Sequence, residues 1–196
     1  AAMTVALDDG IGRVMSTLKN NGLDENTVVI FMTDHGGDYV YGGSNQPFRG
    51  GKATLFEGGI RVPFIMRWPG KIKAGTETSE VTWALDLFPT ICRLADADTS
   101  GLTLDGRDIS TLLTEQKPVG SREFYWQLGP HQELDRGRWT AVRQGDWKYL
   151  EDPQGAEFLF DLKTDPSEKQ NLIKTEPEKY QALQQRRDEL AKTLSP

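Results

Sequence analysis

The pattern of apolar and polar positions opens with Met3, Leu7, Ile11, Val14 and Leu18, which recur at spacings of three or four. That spacing predicts a helix with one apolar face. Gly22, after Asn20 and Asn21, predicts its end, because glycine takes the left-handed conformation of a helix stop without strain. After a polar link, "LDENT", the run "VVIFMT" is apolar without alternation, the pattern of a strand buried on both faces of a parallel sheet. "RVPFIMRWPG" predicts a second short strand closed by a Pro-Gly turn. "VTWALDLFPTICRLAD" predicts a helix with Pro89 near its first turns and Asp86 as a cap or early acid, and "GLTLDGRDISTLLTEQ" a loop entering a short helix.

The texture changes near "QKPVGS". "REFYWQ", "WTAVRQGDWKYLE" and "AEFLFDL" are short, aromatic-rich and separated by turn residues, which predicts a small antiparallel sheet. The tail from Pro177 predicts a helix with Tyr180, Leu183, Leu190 and Leu194 on one face. The expected fold class is therefore α/β followed by an antiparallel-sheet subdomain with a C-terminal helix, divided as 1–116 and 117–196. A chain whose pattern begins inside a helix also reads as one part of a larger protein.

Composition narrows the function. The 196 residues are 37% hydrophobic and 27% charged, a globular composition. A net charge of −6 leaves no basic stripe for phosphates, so no nucleic-acid partner is expected. No apolar run approaches the roughly 20 residues that span a bilayer, and no targeting signal is visible. The single cysteine, Cys92, excludes an internal disulfide and reads as a buried small hydrophobe.

Candidate chemistry concentrates in "FMTDHGG" and in "FRGGKATLFEGG" downstream. Asp34 and His35 follow a strand, where open α/β sheets place their ligands. They read either as two metal ligands or as polar groups bonded to a turn. Lys52 sits among glycines that would let its compact charge approach a tetrahedral anion; the alternative is a solvated lysine, and the Walker spacing is not met. Glu57 and Arg61 read as a structural pair. Asp8 and Asp9, adjacent on the first helix, diverge by about 100° and read as solvent-facing or capping residues.

Taken in order, these segments resemble the sulfatase family of the alkaline-phosphatase-like superfamily. "LDDGIGRVMSTLKNNGLDENTVVIFMTDHG", "FRGGKATLFEGGIRVPFIMRWPG", "DLFPTICRLAD", "LDGRDI", "GDWKYL" and "FLFDLKTDPSEKQNL" carry the likeness across almost the whole chain. The resemblance implies the C-terminal part of an alkaline-phosphatase-like α/β sandwich. It also implies sulfate-ester hydrolysis with Ca2+ and a formylglycine made from a cysteine or serine. By motif, Asp34 and His35 resemble calcium ligands, His35 standing where Asn is commoner, and Lys52 resembles the sulfate-contacting lysine. By analogy, Trp126, His131 and Arg136 lie where substrate contacts fall.

The formylglycine motif C-x-P-S-R or C-x-A-S-R and the family's early Asp-Asp ligands do not occur in these residues. The resemblance therefore places them in an N-terminal segment, and this chain alone is expected to be inactive. The implied partners are that segment and a sulfated small molecule or sugar, and the implied location is periplasmic, secreted or lysosomal. Two other readings stay open: a phosphodiesterase or phosphonate hydrolase of the same superfamily, and a non-catalytic ligand-binding or assembly fragment.

Overall fold

The computed structural model describes residues 2–129 and 138–194, the last by its backbone alone. Backbone contacts divide the chain into two compact units, Ala1–Phe31 with Phe64–Gly120, and Met32–Pro63 with Ser121–Pro196. The loop stretch 32–63 thus groups with the C-terminal residues, although it lies within the 1–116 part read from the sequence.

The first unit begins with α1 (Ala2–Asn20). The helix ends as the sequence predicts. Gly22 has φ 67°, its N–H donates to Lys19 O at 3.1 Å, and Leu23 N–H donates to Leu18 O at 2.9 Å. This paired closure satisfies two of the carbonyls that a helix end leaves open. The apolar face of α1 is not buried: Met3, Leu7 and Val14 are exposed, as are Asp8 and Asp9.

Strands β1 (Val29–Met32) and β2 (Phe64–Arg67) form a two-stranded sheet, the last residue of β1 counting with the second unit. Each residue of β1 is half-buried rather than enclosed as its apolar run predicts, because β2 is its one neighbour among the described residues. The helix expected around Pro89 starts late. A single 3-10 turn at Ala84–Asp86 precedes α3 (Leu87–Leu94). Asp86 is fully buried and accepts from the backbone N–H groups of Trp83 at 3.0 Å and Arg107 at 2.9 Å. It therefore ties the loop before α4 (Ser110–Glu115) to the start of α3. Cys92 is half-buried, on the edge of the short α3 rather than inside a core.

The second unit is layered. Strands β3 (Glu123–Leu128), β4 (Trp139–Gln144), β5 (Trp147–Glu151) and β6 (Glu157–Asp161) make an antiparallel meander in chain order. The tight turn at Gly145, φ 59°, fixes the β4–β5 register, with Gln144 opposite Trp147. Successive side chains of a strand point to opposite faces. Ala141, Leu150 and Phe160 accordingly pack with Leu55, Phe56 and Trp139 on one face. Val142, Tyr149 and Leu159 pack on the other with Leu183 of α5 (Pro177–Leu194), joined by Tyr180 and Leu190. The face that meets Leu55 and Phe56 leads to α2 (Glu57–Ile60), the single turn that closes the glycine-rich loop.

Candidate functional site

All of the candidate residues described lie in the second unit. Its loop stretch is assembled backbone to backbone. Gly36 N–H donates to Gly59 O at 2.9 Å, and Gly58 N–H donates to Arg49 O at 2.7 Å. A Cβ on Gly36 would fall 1.7 Å from the Gly58 carbonyl oxygen, so no other residue fits there without moving the chain. The glycines after the strand end and those of α2 therefore belong to one contact.

Asn45 ties in the lysine segment. Its Oδ1 accepts from Gly37 N–H at 2.7 Å, and its Nδ2 donates to Gly37 O at 2.9 Å and to Gly50 O at 3.2 Å. The Lys52 N–H donates to the same Gly37 carbonyl at 3.3 Å. Tyr39 Oη donates to Gly50 O at 2.5 Å. The structure thus brings the Asp34–His35 end and the Lys52 loop into one cluster, hinged on Gly37.

Within it, His35 Nδ1 lies 2.8 Å from Gly36 O. A carbonyl only accepts, so Nδ1 carries the proton, and in the neutral ring the lone pair is on Nε2. Nε2 is 3.4 Å from Asp34 Oδ2, which is strongly exposed. One carboxylate oxygen and one imidazole nitrogen therefore sit side by side with no hydrogen bond between them, a donor pair suited to a cation. Among the described residues no group of three or more His, Cys, Asp or Glu side chains converges as a metal cage.

Lys52 is about half exposed, its Nζ 3.9 Å from Asp38 Oδ2. The other Asp38 oxygen accepts from Val40 N–H at 2.9 Å, which holds the 3-10 turn Tyr39–Tyr41. One carboxylate thus faces both the turn and the ammonium.

Beneath the cluster lies a buried charge network that the sequence reading missed. Lys148 of β5, fully buried, donates to Glu57 Oε1 at 2.9 Å and Glu168 Oε1 at 2.8 Å. Glu168 Oε2 accepts from the Glu57 N–H at 2.6 Å, and Arg143, directly opposite Lys148 in the sheet, reaches Glu57 Oε2 at 3.8 Å. The expected Glu57–Arg61 pair is present at 3.9 Å but is the looser, more exposed edge of this network. Burial pushes the Glu168 carboxyl up, against the pull of Lys148. Burial also pulls the Arg143 guanidinium down, with Glu57 opposing. In the sequence, Lys148 in "GDWKYL" reads as a solvent-facing strand lysine, and Glu168 in "PSEKQ" as a loop charge. The one hint that its strand is buried on both faces is the apolar company of Lys148, Trp147 before it and Tyr149 and Leu150 after it.

Trp126 is half-buried against the first core cluster, its ring stacked on Phe124 at 5.8 Å. His131 and Arg136 lie outside the described residues.

A strand-end acid and imidazole and a loop lysine, joined through glycine backbone, define a class of candidate site: donors that could take a cation and a charge that could meet an anion. Comparison with known proteins gives this class its family. A sulfatase model matches residues 2–97, and a model of the C-terminal part of N-sulphoglucosamine sulphohydrolase matches residues 50–195. The chain belongs to the sulfatase family.

It is 42% identical over 127 residues to a steryl-sulfatase of Rattus norvegicus, covering 60% of this chain and 22% of that protein. It is 36% identical over 210 residues to arylsulfatase A of Homo sapiens, covering 91% of this chain and 40% of that protein. The crystal structure of Ps i-CgsB superposes with TM-score 0.85 and 30% identity over 96% of this chain and 42% of that one, and it is also known in complex with k-i-k-neocarrahexaose. A phosphonate monoester hydrolase from Silicibacter pomeroyi, 22% identical with TM-score 0.72, shares the fold. The fold is thus the alkaline-phosphatase-like α/β class with the antiparallel sheet and C-terminal helix expected from the sequence. The chain spans less than half the length of these proteins.

Proposed function

We propose that this chain forms the C-terminal part of a sulfatase that hydrolyses sulfate esters, with Lys52 as the sulfate contact and Asp34 and His35 as two ligands of a calcium ion. The observation that carries this reading is the junction at Gly37, whose carbonyl accepts from both Lys52 N–H and Asn45 Nδ2 two residues beyond His35. A positive point charge and a pair of cation donors are thereby held on one set of loops. Lys52 presents its ammonium to solvent, where it can meet an anion, and Asp38 balances that charge when no anion is bound. His35 keeps its proton on Nδ1, bonded to Gly36 O, and leaves Nε2 for a cation.

Calcium takes about six to eight ligands, mostly oxygens, so Asp34 and His35 fit as part of a site. We assign the remaining ligands and the formylglycine to a segment of the whole protein outside these 196 residues. When bound, these groups would supply the nucleophile and positive charge against the sulfuryl oxygens. With no formylglycine motif of its own, the 196-residue chain is inactive alone.

The substrate class is a sulfated sugar or small molecule, a reading supported by the sugar held by Ps i-CgsB. His131 and Arg136 are assigned to substrate binding by family analogy, as is Trp126, although its ring is partly committed to the core. The location assigned by resemblance is periplasmic, secreted or lysosomal. Among the described residues, no helix is long and apolar enough to cross a membrane.

Calorimetric titration of the whole protein with calcium tests the assignment. Asp34→Asn and His35→Ala are each expected to weaken binding by roughly tenfold or more, through lost ligand charge and number. Wild-type affinity in both variants would remove the calcium assignment.

A further inference from the structure

We propose that Lys148 is a positioning residue for the Asp34–His35–Lys52 loops: the C-terminal sheet sets the site through this one buried ammonium. The proposal rests on the sulfatase reading only for what the loops bind. Lys148 Nζ joins Glu57, the first residue of α2, to Glu168, in the loop after β6. Glu168 grips the start of α2 a second time through the Glu57 N–H, and its own carbonyl accepts from Arg49 Nη1 at 3.2 Å. Arg49 O in turn accepts from Gly58 N–H, and Gly59 O accepts from Gly36 N–H, next to His35. Three hydrogen bonds, from Arg49 to Glu168, from Gly58 to Arg49 and from Gly36 to Gly59, therefore link the buried network to the strand-end pair. The Lys52 segment is tied in separately, through Gly37 and Asn45.

Two features mark this as placement rather than bulk stabilisation. Arg143 and Lys148 are opposite one another across two strands, an arrangement that repels unless carboxylates are delivered to it. Those carboxylates come from segments remote in sequence, Glu57 and Glu168, so the charges are satisfied only when α2 and the 164–171 loop dock in one register. Buried ion networks characteristically add little net stability over apolar packing, and their best-attested use is to fix register. The apolar core lies beside the network on the same sheet face, formed by Leu55, Phe56, Leu150 and Phe160.

Amide hydrogen exchange of the whole protein tests this. In Lys148→Met, protection at the Gly36 and Gly58 amides is expected to fall at least about tenfold, with the β4 and β5 amides unchanged and Lys148→Arg restoring protection. An equal loss in the β4–β5 ladder, or no change at Gly36 and Gly58, overturns the proposal. Should Lys148→Met not fold, Glu168→Gln is read at the same amides. It keeps an acceptor for the Glu57 N–H but removes the charge facing Lys148, and unchanged exchange there overturns the proposal as well. The two readings separate cleanly. If the amides respond but the whole protein releases no sulfate from any ester, the sulfatase reading fails and the positioning role stands. If they do not respond while Lys52→Ala abolishes sulfate release, the reverse holds.

Discussion

Glu157, at the start of β6, accepts from the Tyr149 hydroxyl at 2.5 Å, the Tyr180 hydroxyl at 2.6 Å and Gln184 Nε2 at 2.7 Å. Burial pushes its carboxyl up, but the three donors outweigh burial and hold it below the ordinary glutamate value. The same contact works in reverse on Tyr149, whose hydroxyl is raised by burial and by its bond to Glu157. A carboxylate whose folded value is depressed contributes stability that is complete above its unfolded value and lost as pH falls through the folded one. Urea unfolding followed from neutral pH downward should therefore show wild type losing stability relative to Glu157→Gln once pH drops below the ordinary glutamate range. Parallel profiles would contradict this. Tyr149→Phe strips one donor from that carboxylate and is expected to cost about 1.5–3 kcal/mol, the range for a hydrogen bond to a charged group, read as a shift in urea midpoint.

At the scale of elements, α5 is clasped to the sheet by carboxylates from three strands. Glu123 of β3 takes a forked pair from Arg186, Glu151 of β5 pairs with Arg187, and Glu157 of β6 meets Tyr180 and Gln184. Leu183, fully buried between these contacts, carries the apolar part of the joint. Leu183→Ala is expected to lose about 2–5 kcal/mol, the usual range for a core leucine truncated to alanine; thermal or urea unfolding gives the value directly.

These elements also mark what the sequence makes legible. The stop of α1 at Gly22, the turn at Gly145 and the apolar face of α5 follow from local pattern, because each depends on neighbours within a few residues. Asp34, His35 and Lys52 were legible as candidates because a strand end and a glycine loop are local features too. Lys148 and Glu168 were not, since a lysine between two aromatic residues looks the same whether its strand faces water or a pair of distant carboxylates. The half-burial of β1 was equally hidden, as an apolar run does not say how many strands flank it.

At the scale of the molecule, the grouping of 32–63 with 121–196 gives the C-terminal sheet a part in the site. The loops that carry Asp34, His35 and Lys52 pack on that sheet through Leu55 and Phe56 and through the Glu57–Lys148–Glu168 network. Such a division escapes sequence reading because the joining contacts are glycine backbone and one buried ion network, neither of which has a periodicity. On the proposed function, this half of a site serves sulfate-ester hydrolysis once joined to a formylglycine-bearing segment. The most direct test is sulfate release from an aryl sulfate, measured for the 196-residue chain alone and for the whole protein with and without Lys52→Ala. The expected result is no release by the chain alone, release by the whole protein, and a loss of roughly 10²–10³ in rate for Lys52→Ala, as for removal of one preorganised electrostatic contact. Sulfate release by the chain alone, or a whole protein indifferent to Lys52→Ala, would contradict it.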